Sequence, residues 1–227
     1  MENIEKNLTR IRAQIEAAAQ RYERDPDSVL LLAVSKKKPA GDVRRAYDFG
    51  QKEFGENFLQ EAQGKMQALQ DLDICWHFIG AIQSNKTRPI AQAFDWAHCI
   101  DRIKIARRLS DQRPPSLPPL NVCIQVNLDY EDSKAGIYLD ALPGLAAEIR
   151  ELPGLRLRGL MSIPAPRDRL GDQRAAFARL RTALESLQQR GIDCDTLSMG
   201  MTQDMEAAIA EGSTLVRIGT AIFGERT

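Results

Sequence analysis

"LLLAVSKKKPAGDV" (residues 30–43) decides the fold and raises the question of function. An apolar run typical of a strand buried on both faces stops at three lysines and a proline. A helix-like segment follows at once. The same succession of apolar run, polar turn and amphipathic segment recurs along the chain, which indicates repeated strand–helix units.

Eight apolar runs predict strands at 29–36, 53–57, 75–80, 96–100, 121–128, 155–163, 196–200 and 215–223. Helices are predicted between them at 41–49, 58–70, 86–94, 102–111, 138–151, 172–190 and 203–211. An amphipathic helix at 3–23 precedes the first strand. The expected fold is an α/β single-domain (β/α)8 barrel of TIM type with an extra N-terminal helix, spanning 1–227. The alternative is an open doubly wound sheet, but no GxGxxG follows the first strand.

Composition narrows the class of protein. The 227 residues hold 31 Lys+Arg and 31 Asp+Glu, so no basic excess points to nucleic acid or to an anionic membrane. The four cysteines form no CxxC pair, and we expect them to be reduced and buried in a cytoplasmic protein. The charged N-terminus is not a signal peptide, and no apolar stretch is long enough to span a bilayer. No long apolar surface strip is evident, so we expect a monomer.

Two patterns suggest other chemistry. "HFIGAIQSNKT" (77–87) approaches a P-loop but lacks the second glycine. His77 and His98 lie in predicted strands, and no Cys or Glu stands at ligand spacing beside either. We interpret them as core histidines satisfied by local hydrogen bonds, not as a zinc site.

Function in such a barrel is expected at the C-terminal ends of the strands. "LSMGMTQDMEAAIAEG" (197–212) offers Ser198 and Gly200 just before a predicted helix, with Thr202 as its N-cap. A hydroxyl and free backbone N–H groups at a helix N-terminus favour an anion. The acidic side chains of Asp204 and Glu206 oppose one unless they point outward.

A second stretch completes the anion site. In "VRIGTAIFG" (216–224), Gly219 interrupts a strand and Thr220 adds a hydroxyl. Loops after the seventh and eighth strands are the usual phosphate site of these barrels. Singly, Gly200 and Gly219 are explained as turn glycines; together they favour a phosphate.

The three lysines differ in where they point. Lys36 has the strand parity that aims it over the barrel mouth, Lys37 has the opposite parity, and Lys38 precedes Pro39. A solvated rim is the simpler interpretation. An amine facing a phosphate site, however, matches an aldehyde cofactor with a phosphate handle, pyridoxal 5′-phosphate. Arg217 would then meet the pyridine nitrogen.

Six stretches extend this interpretation to almost the whole chain: "LLAVSKKKP", "FGENFLQE", "WHFIGAIQSNK", "LRLRGLMSIP", "LSMGMTQDMEAAI" and "STLVRIGTAIFGER". On these motifs the sequence resembles the pyridoxal-phosphate homeostasis protein family, which is similar to the N-terminal domain of alanine racemase. The resemblance implies a pyridoxal-phosphate-binding protein of intracellular vitamin B6 homeostasis that holds the cofactor as an internal aldimine.

The resemblance also implies roles for individual positions. Lys36 matches the aldimine lysine, Asn57 a residue lining the cofactor, Ser198 and Gly200 the phosphate-binding turn, Gly219 and Thr220 its second half, and Arg217 the arginine at the pyridine nitrogen. Lys37 and Lys38 are expected mainly to shape the local potential. A lysine at the position of Lys134 also fits the resemblance; we expect a solvated amine there, with a secondary cofactor contact as the alternative.

The departure from true racemases concerns catalysis. Those enzymes carry a C-terminal β-domain and a tyrosine base from a second subunit, whereas this chain ends directly after its eighth predicted strand. Tyr130 and Tyr138 flank the loop after the fifth strand, but nothing makes either a base. We therefore expect a protein without robust catalytic activity, with pyridoxal-phosphate-dependent apoenzymes as possible recipients. The alternatives are a single-domain racemase or related enzyme, and a lysine aldolase acting on a phosphorylated sugar.

Overall fold

Eight parallel strands close into a barrel in chain order in the computed structural model, which describes residues 3–131 and 134–225. The strands are β1 (Leu30–Val34), β2 (Glu53–Glu56), β3 (Cys75–Phe78), β4 (Trp96–Ile100), β5 (Leu120–Gln125), β6 (Leu155–Met161), β7 (Thr196–Ser198) and β8 (Leu215–Ile218). The helices are α1 (Ile4–Arg21), α2 (Ala40–Asp48), α3 (Leu59–Ala68), α4 (Thr87–Ala93), α5 (Ile103–Gln112), α6 (Leu142–Arg150), α7 (Leu170–Gln189), α8 (Met205–Ala210) and α9 (Thr220–Phe223). The predicted barrel and its leading helix are confirmed.

Pairing of the first and last strands closes the barrel. Leu32 on β1 is in register with Arg217 on β8, while on its other side Ala33 pairs with Phe54 of β2. The register brings the loop after β1 beside the loop after β8, although they are far apart in sequence. The predicted lysine and phosphate segments therefore meet at one end of the barrel.

The main hydrophobic core lies between the sheet and the surrounding helices, as an apolar strand buried on both faces requires. Helix α1 packs onto this core through Ile4, Leu8, Ile11 and Ile15, the positions that its periodicity predicts. Asn3 caps the helix by accepting the backbone N–H of Lys6 at 2.8 Å. No helix in the described ranges has the length and hydrophobicity needed to cross a membrane.

Several predicted strands are too long at their functional ends. β1 ends at Val34, so Lys36 lies in a turn and not in the strand. β8 ends at Ile218, and Thr220–Phe223 forms a helical turn where continuation of the strand to 223 is predicted. The reason is local: Gly219 has φ −115° and ψ −80°, which breaks the extended backbone.

The helix after β7 also begins later than predicted. It starts at Met205 with Asp204 at the N-cap position, so the prediction of Thr202 as N-cap is wrong. Thr202 instead lies in the turn between β7 and α8. As a result, a loop of several residues separates Ser198 from α8, and this loop forms part of the barrel mouth.

Candidate functional site

A cavity of about 170 Å³ opens at the C-terminal ends of the strands. Five of the seven residues that the sequence proposes for the cofactor line it: Lys36, Asn57, Arg217, Gly219 and Thr220. Val34, Ile79 and Met161 supply apolar wall, and Lys38 and Thr202 add polar groups at the rim. Ser198 and Gly200 are not among its lining residues; they lie next to it, against Arg217.

Lys36 is held in place through its neighbours in the chain. Ser35 is fully buried, and its hydroxyl donates to Glu56 Oε1 at 2.6 Å while its carbonyl oxygen accepts Lys65 Nζ at 2.7 Å. On the other side, Lys37 has φ +61°, and its backbone N–H donates to Glu61. A non-glycine residue with positive φ is uncommon, so this turn is strongly determined. It directs half-buried Lys36 into the cavity.

The two other lysines of the triplet are placed differently. Lys37 is exposed, as its strand parity predicts. Lys38 lines the cavity, and its Nζ donates to the carbonyl oxygen of Glu225 at 2.6 Å. Lys38 is therefore a rim cation tied to the C-terminal segment.

Buried Arg217 lies against the cavity with its guanidinium held on two sides. Nη1 donates to the carbonyl oxygen of Ser198 at 2.5 Å and to the Ser198 hydroxyl at 2.8 Å, and Nη2 donates to the carbonyl oxygen of Ser162 at 2.9 Å. A guanidinium has five N–H donors, so these three bonds leave donors for a ligand. Burial lowers the pKa of Arg217, yet arginine stays protonated in proteins.

Gly219 and Thr220 form a tight corner beside Lys36. A Cβ at Gly219 would lie 3.1 Å from the carbonyl oxygen of Val34, so glycine lets β8 end against β1. Thr220 is exposed in the cavity as the first residue of α9. The first N–H groups of a helix have no intrahelical partner, which leaves this corner with donors suited to an anion.

The first part of the predicted anion site, the turn with Ser198 and Gly200, is more crowded. Gly200 has φ +98°, and a Cβ there would lie 2.6 Å from the Ala208 side chain, so the turn depends on glycine. Asp204 Oδ1 accepts the Met201 N–H at 2.6 Å and so occupies one donor of the loop. Glu206 points away and pairs with Arg21 at 2.6 Å. The phosphate roles of Ser198 and Gly200 remain predictions.

Asn57 supplies an orphaned acceptor. Its Oδ1 is buried and has no hydrogen-bond partner in the described part of the chain, although its side chain lines the cavity. Gly80 packs so closely on it that a Cβ would lie 2.2 Å from the Asn57 carbonyl oxygen. A buried polar atom without a partner is costly, and a ligand hydroxyl in the cavity would satisfy this one.

An ionic group beneath Lys36 is missed by sequence reasoning. Lys65 on α3 is 5% exposed, and its Nζ contacts Glu56 Oε1 and Glu61 Oε1, each at 2.6 Å. Burial raises the pKa of Glu56 although Lys65 opposes this effect. The spacing of Glu61 and Lys65 by four helical positions is a visible signal of their pairing, but the buried Glu56 is recognisable only in three dimensions.

The histidines correct another part of the sequence interpretation. They are core histidines, but their bonds are not local: His77 Nδ1 lies 2.9 Å from His98 Nε2, and His98 Nδ1 lies 2.9 Å from Ser198 Oγ. The expectation that no Cys or Glu accompanies them is wrong, because Cys75 Sγ and Glu53 Oε2 lie 3.4 and 2.6 Å from His77 Nε2. Strand register, not sequence spacing, brings Glu53 and Cys75 together.

The loop after β5 stands apart from the cavity lining. Lys134 Nζ pairs with Glu131 at 2.9 Å, and Tyr130 stacks on Tyr138 with ring centroids 4.8 Å apart. Within residues 3–131 and 134–225, no tyrosine lines the cavity. A direct role of Lys134 or of either tyrosine therefore receives no geometric support from this arrangement.

The residues fit a phosphorylated aldehyde. An amine, an orphaned amide oxygen, a guanidinium, and a glycine–threonine corner line one cavity with apolar walls. This combination of barrel and site defines a class. The chain matches the family described as "Alanine racemase, N-terminal domain" over residues 6–227. Alanine racemase from Corynebacterium glutamicum shares the fold alone, with a TM-score of 0.71 and 18% identity over 96% of this chain and 59% of that chain.

Closer relatives narrow the class to one family. The chain is 58% identical to the "Pyridoxal phosphate homeostasis protein" of Pseudomonas aeruginosa, covering 100% of this chain and 97% of the relative. It is 54% identical to the protein of that name in Escherichia coli, covering 100% and 98%. PipY of Synechococcus elongatus, solved with PLP bound, has a TM-score of 0.87 and 37% identity, covering 98% of this chain and 100% of that chain. This chain belongs to the pyridoxal phosphate homeostasis protein family.

Proposed function

We propose that this protein binds pyridoxal phosphate in the cavity at the barrel mouth and takes part in intracellular vitamin B6 homeostasis. The observation that carries the proposal is the presence of Lys36, Arg217 and the Gly219–Thr220 corner in one cavity. Support comes from the names of its relatives and from the related PipY structure, which contains PLP. The orphaned Oδ1 of Asn57 in the same cavity can accept a hydrogen bond from a ligand hydroxyl.

Each residue has a defined task in this proposal. Pyridoxal phosphate supplies an aldehyde that an amine can hold covalently as a Schiff base, together with an electron-withdrawing ring. Lys36 provides the amine, Asn57 accepts from the ring hydroxyl, and Thr220 with the Gly219 corner takes the phosphate. Ser198 and Gly200 form the neighbouring turn, which is proposed to contribute to the phosphate site.

Arg217 is proposed to face the pyridine nitrogen and to limit chemistry there. Its pKa is lowered by burial, but a guanidinium still does not readily give up a proton. Arg217 would therefore give no proton to the ring nitrogen of a bound cofactor, and such a ring would withdraw electrons less strongly. We therefore propose that the protein holds the cofactor without robust catalysis of its own.

Further parts of the proposal concern the state of the protein. We propose that residues 1–227 act as one cofactor-binding domain, as a monomer, and that pyridoxal-phosphate-dependent apoenzymes are recipients. A cytoplasmic location is proposed because the four cysteines are all unpaired, which suits a reducing compartment. Lys134 is proposed to remain a loop amine paired with Glu131.

The test is a spectroscopic titration of cofactor-free protein with pyridoxal phosphate. Wild type should develop a visible absorption band at one equivalent, and Lys36→Ala should not. Lys104→Ala, an exposed lysine on α5, is the matched control and should behave as wild type. A wild-type chain that develops no band would contradict the binding proposal.

Catalysis is tested separately on the loaded protein. A panel of amino acids is incubated with it in deuterated water, and deuterium at Cα is measured by mass spectrometry. We expect no exchange above that of free pyridoxal phosphate. Specific exchange that Lys36→Ala abolishes would favour the single-domain racemase and refute the non-catalytic assignment.

A further inference from the structure

A continuous chain of hydrogen bonds crosses the barrel interior to Arg217. It runs from Glu53 on β2 to His77 on β3 at 2.6 Å, and from His77 to His98 on β4 at 2.9 Å. It continues from His98 to the Ser198 hydroxyl on β7 at 2.9 Å and ends at Arg217 Nη1 on β8 at 2.8 Å. Five strands thus contribute one polar group each, and the chain joins the base of the barrel to the cavity.

The two ends of this chain fix its direction. Arg217 can only donate, and the carboxylate of Glu53 can only accept. With one proton on each ring, Arg217 donates to Ser198 Oγ, whose hydroxyl donates to His98 Nδ1. His98 Nε2–H then donates to His77 Nδ1, and His77 Nε2–H donates to Glu53. In the reverse direction the Ser198 hydroxyl would receive two donors, and its own proton would lose His98 as acceptor.

Packing holds the members of the chain in place. His77, His98 and Ser198 are 1%, 0% and 0% exposed, so water cannot substitute for a lost bond. Trp96 stacks on His77 with ring centroids 5.3 Å apart and an interplanar angle of 7°. Arg158 lies over the Trp96 ring at 4.8 Å from its centroid. The orientation of the His77 ring is therefore set independently of its hydrogen bonds.

We propose that Glu53, His77, His98 and Ser198 are positioning residues that orient the Arg217 guanidinium toward the cavity through this one-directional chain. The bond from Arg217 to Ser198 Oγ has a defined acceptor geometry only because His98 takes the hydroxyl proton. Together with the carbonyl oxygens of Ser198 and Ser162, these hydrogen bonds fix which N–H donors of Arg217 remain for the cavity. Its hydrogen-bond pattern stands on the structure alone, whereas its consequence for pyridoxal phosphate rests on the proposed function.

The direction of the chain is measurable in cofactor-free protein. The sequence contains two histidines, so ¹⁵N-histidine labelling gives two ring systems that His98→Gln assigns. We expect both rings at pH 7.5 to be neutral with the proton on Nε2. A ring protonated on both nitrogens, or His98 carrying its proton on Nδ1, would overturn the proposal whether or not the protein binds pyridoxal phosphate.

The positioning role is tested with loaded protein. Ser198→Ala should weaken pyridoxal phosphate binding about tenfold, equivalent to about 1.4 kcal/mol, and should shift the absorption maximum of the bound cofactor. The matched control is Ser213→Ala, a fully buried serine before β8 that bonds to backbone oxygens only. Ser213→Ala should keep the wild-type spectrum.

A comparison of two His98 variants separates positioning from packing. Glutamine can accept from Ser198 and donate to His77, whereas leucine can do neither. We expect His98→Gln to restore most of the wild-type spectrum and affinity, and His98→Leu to resemble Ser198→Ala. Identical spectra for wild type, Ser198→Ala and His98→Leu would refute the positioning role.

Discussion

Two buried polar groups flank the cavity, and they are built on opposite principles. Beneath Lys36, the ammonium of Lys65 contacts the carboxylates of Glu56 and Glu61 at 2.6 Å. Beneath Arg217, the members between the terminal charges are two imidazoles and a hydroxyl. The first group concentrates formal charge between α3 and the end of β2, and the second spreads a dipolar chain across the barrel.

The difference shows what each arrangement contributes. Glu56 Oε2 is buried without a partner among the described residues, and burial raises the pKa of this carboxyl despite Lys65. A buried ion pair of this kind adds little net stability but costs much when one partner is removed. We infer that its value lies in fixing the turn that carries Lys36. The histidine chain avoids buried formal charge between its ends. Its proposed contribution is to orient Arg217 through hydrogen bonds that all run in one direction.

The largest expected effect comes from breaking the ionic group. Lys65→Met leaves Glu56 buried without its cation, and we expect the free energy of unfolding to fall by about 3–5 kcal/mol. Urea denaturation measures this change. Lys104→Met, on the exposed face of α5, is the control and should lie within about 0.5 kcal/mol of wild type. Equal stability of the two variants would mean that the ionic group is not structural.

Breaking the histidine chain should cost less. His98→Leu leaves the proton of the Ser198 hydroxyl without an acceptor and His77 Nδ1 without a donor, so we expect a loss of about 1–3 kcal/mol in the free energy of unfolding. His98→Gln should recover part of this loss because an amide both donates and accepts. If glutamine is no better than leucine in the same denaturation series, the hydrogen bonds of His98 do not contribute.

The histidine chain makes the stability of the protein depend on pH through His98. The pKa of His98 is well below its usual value, mainly because the ring is buried and to a lesser extent because His77 and Arg217 lie nearby. The unfolded chain therefore takes up a proton below about pH 6.5 that the folded chain refuses. Stability should be full above that pH and should fall as the pH drops, by up to about 1.4 kcal/mol per pH unit.

The control for this pH dependence is His98→Gln, which should flatten the stability profile between about pH 6.5 and 5. Glu53 contributes to the pH dependence of stability only at lower pH. Burial alone would raise its pKa, but hydrogen bonds from His77 and Cys75 lower it below its ordinary value of 4.5. A wild-type profile that is flat across the upper window would contradict the neutral state assigned to His98.

The smallest expected effect on stability comes from Glu53, the last acceptor of the hydrogen-bond chain. Glu53→Gln keeps an acceptor for His77 Nε2–H but removes the charge, and we expect a loss of about 0.5–1.5 kcal/mol in the free energy of unfolding. Glu53→Leu, which removes the acceptor as well, should cost more. If glutamine and leucine cost the same, the bond from His77 to Glu53 does not anchor the chain.

Much of the fold is predictable from the sequence because each strand corresponds to an apolar run that ends in a polar turn. The predicted site residues Lys36, Asn57, Arg217, Gly219 and Thr220 meet in one cavity because each lies near the C-terminal end of a strand or just after it. The residues that hold these side chains in place could not be predicted from such runs. The bond from His98 to Ser198 spans 100 residues of sequence, and only the closed barrel brings the two together.

The exact ends of the strands are also difficult to predict from the sequence. The extended parity that assigned Lys36 to the mouth gave the right location, although the strand stops at Val34 and a turn directs the side chain. Likewise, the β-branched run through residue 223 hid the helical turn that begins at Thr220. After β1 the tertiary contacts of Ser35 and Lys37 determine the backbone, whereas after β8 the break at Gly219 does.

The most direct measurement is borohydride reduction of the pyridoxal-phosphate-loaded protein, followed by peptide mass mapping of the labelled lysine. We predict that the label lies on Lys36 alone, with Lys38, Lys65 and Lys134 unmodified. Label on any of these lysines with Lys36 unmodified would contradict the assignment of the cavity amine.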